Sequence, residues 1–281
     1  MYSPTDPEVR ASLLYAGIEI ARECASSGRT PDEALAHIRQ GESGRNSFDY
    51  AGAFEVAGEH EWAVFSPDPD VETAFRDSLS RLIELARPFW VRVLPAGRQR
   101  VVPVLGDDLL QCMEIGGLLG HEPEVVAWWD RLAAIGRQWD EEARMAIGRA
   151  AEEQTMAYER KLLDGTGKQP RWVAIEDNGA GYDVQSWRSA LADAAVFEAH
   201  FIEVKGSSET GIIHLSRGEW NFAVANGSKW EIQIWLSSAS TPAILKIGEV
   251  QPHIPDNHGD GRWVEVQIPT DRLLPAASDS G

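Results

Sequence analysis

Apolar side chains recur every third or fourth position through most of the first half of the chain, and that spacing predicts helices. "TDPEVRASLLYAGIEIARECASSG" reads as a first amphipathic helix, with Thr5 or Asp6 at its cap and Pro7 at its start. "TPDEALAHIRQ", entered by Thr30 and Pro31, predicts a shorter second one. Residues 41–70 are mixed and polar, and "EWAVFSPDPD" gives a strand-like run that ends in a Pro/Asp turn. "DVETAFRDSLSRLIELARP" predicts a third helix stopped by Pro88. "FWVRVLPAGRQRVVPVL" alternates around a Pro-Ala-Gly turn, so a small β-hairpin is expected there. "GDDLLQCMEIGGLLG", opened by acids and closed by glycine, predicts a fourth helix. From Glu122 one helical pattern continues to about Leu163. At ~40 residues and ~1.5 Å each it would span roughly 60 Å, and a break or kink is expected near Gly136 or Gly148.

After "DGTGKQP" the pattern changes to short β-type runs. "RWVAIE" (171–176), "GYDVQSW" (181–187) and "HFIEVKG" (200–206) predict three successive strands. "SRGEWNFAVANG" is the next helix, with Ser216 and Glu219 as a capping box and Gly227 as its stop. "KWEIQIWLS" (229–237) predicts a fourth strand, followed by further ones in "AILKIGEV" and "WVEVQIP". The expected organisation is a mostly helical domain over 1–121 and an α/β domain over 122–281, entered by the long helix.

Composition narrows the function classes. A formal net charge of −18 is unusual for a protein that grips nucleic acid unaided, because phosphate neutralisation supplies most non-specific affinity. Two cysteines, Cys24 and Cys112, give neither a disulfide framework nor metal-ligand spacing, and read as small buried hydrophobes in a reducing compartment. No run of about 18 apolar residues predicts a membrane span, and the N-terminal stretch lacks the features of a signal peptide, so a cytoplasmic protein without membrane contact is expected.

The chemistry lies on the predicted strands. Side chains two apart on a strand face the same way, so Glu203 and Lys205 project together with Phe201, while Ile202 and Val204 point to the other side. Alone, Glu-x-Lys reads as a solvated ion pair. Asp183, in a β run directly after a Gly-Ala-Gly turn about twenty residues upstream, changes that reading. Two carboxylates and a lysine on adjacent strands offer oxygen ligands to Mg²⁺ and an ammonium to orient the attacking water, help deprotonate it, or stabilise charge on a phosphate.

Gly181-Tyr182-Asp183, then Ile202-Glu203-Val204-Lys205, then "LSRGEWNFA" and an aromatic-rich strand, resemble the Mrr-related branch of the PD-(D/E)xK nuclease superfamily. More narrowly they resemble the domain at the C-terminus of NO VEIN-type proteins, over roughly residues 145–240. In that branch the motif around the first acid is Gly, then Tyr, Phe or Val, then Asp, in place of Pro-Asp, as here. The resemblance implies a restriction-endonuclease-like core of order α-β-β-β-α-β, with a mixed sheet flanked by helices. It also implies a divalent metal, Mg²⁺ or Mn²⁺, and cleavage of nucleic acid, usually DNA, by an endonuclease, in a setting of restriction or anti-phage defence. Carried over by residue, Asp183 and Glu203 become metal ligands and Lys205 the catalytic lysine. The superfamily often adds a glutamate from the helix before the first strand. Glu152 and Glu159, seven positions apart, share one helix face, and either is a candidate. The acidic charge implies recruitment through a partner protein or a homo-oligomer. The competing reading is a catalytically silent module of the same fold that senses nucleic acid or scaffolds a defence complex.

Other signals carry less. "DGTGKQ" lacks the spacing of a phosphate loop. His253, His258 and Asp260 sit in a loop rich in Pro, Gly and Asn. Trp128, Trp129 and Trp139 lie in helical patterns that favour packing over base stacking. Ser216, Glu219 and Trp220 are explained by capping and packing, and the tail "PAASDSG" reads as disordered.

Overall fold

Side-chain caps open three of the helices of the N-terminal region, at Thr30, Asp49 and Asp70. The computed structural model describes residues 9–41, 48–177, 179–190, 193–208, 210–257 and 261–274. The expected cap at Thr5 or Asp6, the residues His258 and Asp260, and the tail from 275 lie outside them. The chain divides into two compact units, Met1–Glu141 and Glu142–Gly281.

In the first unit, α1 (Ala11–Ser27) ends on Gly28 in the left-handed conformation. Helix α2 (Pro31–Gly41) starts with a reciprocal cap: the Thr30 N–H donates to Glu33 at 2.9 Å and the Glu33 N–H to the Thr30 hydroxyl at 3.4 Å. Helices α3 (Tyr50–His60) and α4 (Val71–Ala86) open on the Asp49 and Asp70 carboxylates. Where a hairpin was expected, the chain is helical: α5 (Phe89–Val93), a 3₁₀ turn Leu94–Ala96, α6 (Arg98–Val101) and a second 3₁₀ turn Val102–Val104. Pro95 and Pro103 sit in the first turns of those 3₁₀ segments, where a missing N–H goes unnoticed. Trp62–Val64, expected as a strand, is also a 3₁₀ turn. Helix α7 (Asp107–Ile115) follows. Leu14, Phe75, Leu79, Met113, Trp128 and Leu132 belong to the core of this unit. The Trp128 and Trp129 indoles donate to Ser80 Oγ and the Leu118 carbonyl, both at 2.7 Å, so these rings pack inside as expected.

Helix α8 (Pro123–Leu162) runs 40 residues unbroken through Gly136 and Gly148. The second unit then builds β1 (Arg171–Trp172), β2 (Val184–Ala190), β3 (Asp193–Ser207), β4 (Ile212–Ser216), α9 (Arg217–Asn226), β5 (Trp230–Leu236), β6 (Ala243–Lys246), α10 (Ile247–Val250), β7 (Glu265–Pro269) and α11 (Thr270–Leu273). The mixed sheet has the order β1-β2-β3-β5-β6, and β4 pairs with β7 apart from it. β1, β2 and β3 run antiparallel, and β5 lies parallel to β3 after the crossover through α9. β1 keeps only two of its six expected residues because 174–176 form a turn.

The alternation of β3 separates two cores. Ile202 and Val204 pack with Val184, Trp235 and, from α8, Ala151 and Met156. Phe201 faces the other way, into a cluster with Ile232, Ile234, Ala223 and Phe222. Gly206 lets α8 lie directly on β3, since a Cβ there would meet Ile147 Cγ2 at 2.6 Å.

Candidate active site

Asp183 is placed by the two residues before it. Gly181 adopts φ +82° against α9, where a Cβ would meet Phe222 at 2.8 Å. Tyr182 packs on Phe222 and Phe201, with ring centroids 4.8 and 4.9 Å away. The chain then meets β3: the Asp183 N–H donates to the Ile202 carbonyl at 3.0 Å, and its carboxylate Oδ2 accepts the Val204 N–H at 2.7 Å. A side chain thus extends the ladder one step beyond the strand.

On the α9 face of β3, Lys205 Nζ lies 2.7 Å from Glu203 Oε1. Glu203 is 1% exposed, and neither of its carboxylate oxygens has a hydrogen-bond partner, so the contact is an ion pair without hydrogen-bond alignment. The aligned hydrogen bond from Lys205 goes instead to Glu219 Oε1 at 3.2 Å. Three carboxylates therefore surround one ammonium, and Glu152 adds a fourth negative charge felt by Asp183. Glu219 was explained in the sequence by its cap alone. The available signal was that a cap uses one carboxylate oxygen and leaves the second free.

Burial pushes the Asp183 carboxyl up to about 6, against the opposing pull of Lys205 and the Val204 N–H. Burial likewise raises Glu203 well above the carboxylate range, reinforced by Asp183 and Glu219. For Lys205, burial alone would lower the ammonium, but Glu203, Glu219 and Asp183 overcome it and hold the proton on. Burial raises Glu219 too, yet Lys205 and the Ser216 N–H bring it below the ordinary value.

The two helix candidates part company. Glu152 stands at the rim of this group, accepting from the Trp172 indole and, at 2.8 Å, from Arg149, whose guanidinium lies 5.3 Å from the Trp172 ring centre. Glu159 goes to the opposite face of the sheet. It is completely buried and binds Ser186, Gln233 Nε2 at 2.8 Å, and both Arg188 terminal nitrogens at 2.6 and 2.9 Å. Arg188 also reaches Glu231, which takes His200 Nε2 at 2.9 Å and Lys246. Burial pushes Glu231 up, but His200, Lys246 and Arg188 overcome this and hold it below the carboxylate range. The structure does not bring Glu159 to Asp183, Glu203 and Lys205. Cys112 is buried as expected, while Cys24 is half-exposed.

Among the described residues no three His, Cys, Asp or Glu side chains form a metal cage by themselves. A hard cation such as Mg²⁺ requires less, one or two carboxylates completed by water and substrate oxygens. The buried Glu203 carboxylate beside Asp183 fits that requirement.

Residues 151–247 match the family model described as Protein NO VEIN, C-terminal, and this stretch contains every candidate residue. It agrees with the narrower resemblance drawn from the sequence. No curated protein and no solved structure matches the chain. Among the described residues no helix is long and apolar enough to cross a membrane.

Proposed function

We propose that the second unit is a metal-dependent endonuclease of the PD-(D/E)xK type, hydrolysing phosphodiester bonds of nucleic acid, with DNA as the first substrate to test. The observation that carries this reading is Glu203: a fully buried carboxylate beside Asp183, held against the Lys205 ammonium at 2.7 Å. Several buried carboxylates around one ammonium leave a surplus of negative charge, which a bound cation or a proton would offset. With β4 set apart in its ladder with β7, the order helix α8, strands β1–β3, helix α9 and parallel strand β5 supports a restriction-endonuclease-like core.

Asp183 and Glu203 would hold Mg²⁺ or Mn²⁺, which when bound would polarise the phosphoryl group and acidify water. Lys205 remains protonated among its carboxylates. Its positive charge would then face the phosphate oxygens or orient the attacking water. Glu152 at the rim can bind a water of the cation's shell. The acidic chain, at −18, is consistent with delivery to DNA by a partner or by self-association in a defence setting.

The test is incubation of the purified protein with supercoiled plasmid, single-stranded DNA and RNA, with Mg²⁺, Mn²⁺ or chelator. Lys205→Ala and Asp183→Ala are expected to lose ~10²-fold or more in rate, the scale of removing one charge-stabilising group. Cleavage that persists in both variants would sink the assignment. Binding of nucleic acid with no metal-dependent product would favour the silent sensing module.

A further inference from the structure

We infer that Glu219 is a positioning residue of this site: it aims the Lys205 ammonium with one carboxylate oxygen while the other caps α9, leaving Glu203 for a cation. The inference rests on the nuclease reading only for its kinetic consequence.

The three carboxylates around Lys205 differ in what their oxygens do. Asp183 Oδ2 is occupied by the Val204 N–H. Glu203 approaches Lys205 most closely, at 2.7 Å, yet makes no aligned hydrogen bond. Glu219 is committed on both sides: Oε1 accepts from Lys205 at 3.2 Å and Oε2 accepts the Ser216 N–H at 2.6 Å. The cap is reciprocal, because the Glu219 N–H donates to Ser216 Oγ at 3.2 Å. The cap thus fixes the Glu219 rotamer before the lysine arrives. A lysine stem has several rotatable bonds to hold still, so a pre-set acceptor keeps its head in one place. Glu203 alone cannot give full strength to both an ammonium and a cation. Glu219 eases that competition by giving Lys205 a second acceptor. The end of α9 and the lysine of β3 are in this way joined through one side chain.

Glutamine weakens the hold on Lys205, because it removes the charge and puts an NH₂ donor where glutamate turns a second oxygen to its partners. The full chain, labelled with ¹⁵N-lysine, is examined at fixed pH with and without Mg²⁺. The Lys205 ammonium signal is identified by its disappearance in Lys205→Arg. A held ammonium is expected to give a resolved Nζ–H signal in the wild type, with Mg²⁺ present or absent. Glu219→Gln is expected to lose it in Mg²⁺, and so is Glu219→Asp, one methylene too short to span both partners. Glu203→Gln is expected to keep it, and Ser216→Ala to keep it while lowering Tm. In plasmid cleavage, Glu219→Gln is expected to lose about 10–100-fold in kcat with KM nearly unchanged, the range for groups that orient reacting residues. The inference is overturned if Glu219→Gln retains the signal, or if Ser216→Ala abolishes it equally, which would leave Glu219 a helix cap alone. If the wild type cleaves no nucleic acid, the nuclease reading fails and the ammonium signal alone decides the role of Glu219.

Discussion

Replacing Asp183 with asparagine is expected to stabilise the protein, by an amount set by pH. An aspartate in an unfolded chain titrates near 3.8, and in this fold Asp183 is pushed up to about 6 by burial. Between those values the unfolded chain has released a proton that the native protein keeps. Native stability therefore falls as pH rises through the window, and the full penalty is present above it. At 1.36 kcal/mol per unit, the penalty is about 1 kcal/mol near pH 4.5 and about 3 kcal/mol near pH 7.5. Asparagine cannot ionise, and its carbonyl oxygen can still accept the Val204 N–H, so the ladder contact survives. Urea unfolding in chelator, followed by circular dichroism, is expected to show the variant's advantage growing by about 2 kcal/mol between those two pH values. A cation should nearly cancel that advantage near pH 7.5. At ~100 times its Kd it stabilises the wild type by about 2.7 kcal/mol and leaves the variant nearly unmoved. An advantage independent of pH, or an equal gain from Mg²⁺ in both proteins, would refute the account of Asp183 as a strained cation ligand.

Three further outcomes follow from the same geometry. Glu159→Ala removes the partner of Arg188, Ser186 and Gln233 in a buried network, and is expected to lose about 3–5 kcal/mol in urea titration; a loss below ~1 kcal/mol would contradict the network's role. Glu159→Gln, being on the opposite face of the sheet, is expected to leave the cleavage rate of the folded protein within a factor of two or so, whereas Glu152→Gln at the rim lowers it, a contrast read in one plasmid assay. Gly181→Ala is expected to cost about 1–3 kcal/mol, since it imposes a left-handed backbone and drives a methyl into Phe222; a neutral result in thermal melts would mean that α9 yields there.

Local chemistry made much of this fold legible. The caps at Thr30 and Ser216, the long helix, and the alternation that puts Glu203 and Lys205 on one face all follow from near neighbours in sequence. The hairpin expected over 89–105 failed because β-branched residues beside Pro-Ala-Gly imitate strands, while burial of Trp90, Val91 and Leu94 follows a helix. Helix α3 escaped notice because "YAGAFEVAGEH" offers small residues in place of a strong apolar stripe. Glu152 and Glu159 were indistinguishable in sequence since both project from one helix face. Yet seven residues at ~1.5 Å displace one from the other by roughly 10 Å, enough to separate a rim from a core. The Glu159–Arg188–Glu231–His200 network joins four elements and leaves no mark in any one of them.

The alternation of β3 also determines which changes of length this chain can tolerate. His200 serves the charged network under α8, whereas Glu203 and Lys205 serve the group beside α9. One inserted or deleted residue between them would exchange every side chain across the sheet. The lysine would turn to the side of Val184 and Trp235, and Val204 after an insertion, or Gly206 after a deletion, would take its place beside α9. In a library of single-codon insertions and deletions, positions 200–205 should therefore form a sharply forbidden window. The flanking edge strand β6, paired on one side only, should accept such changes far more readily.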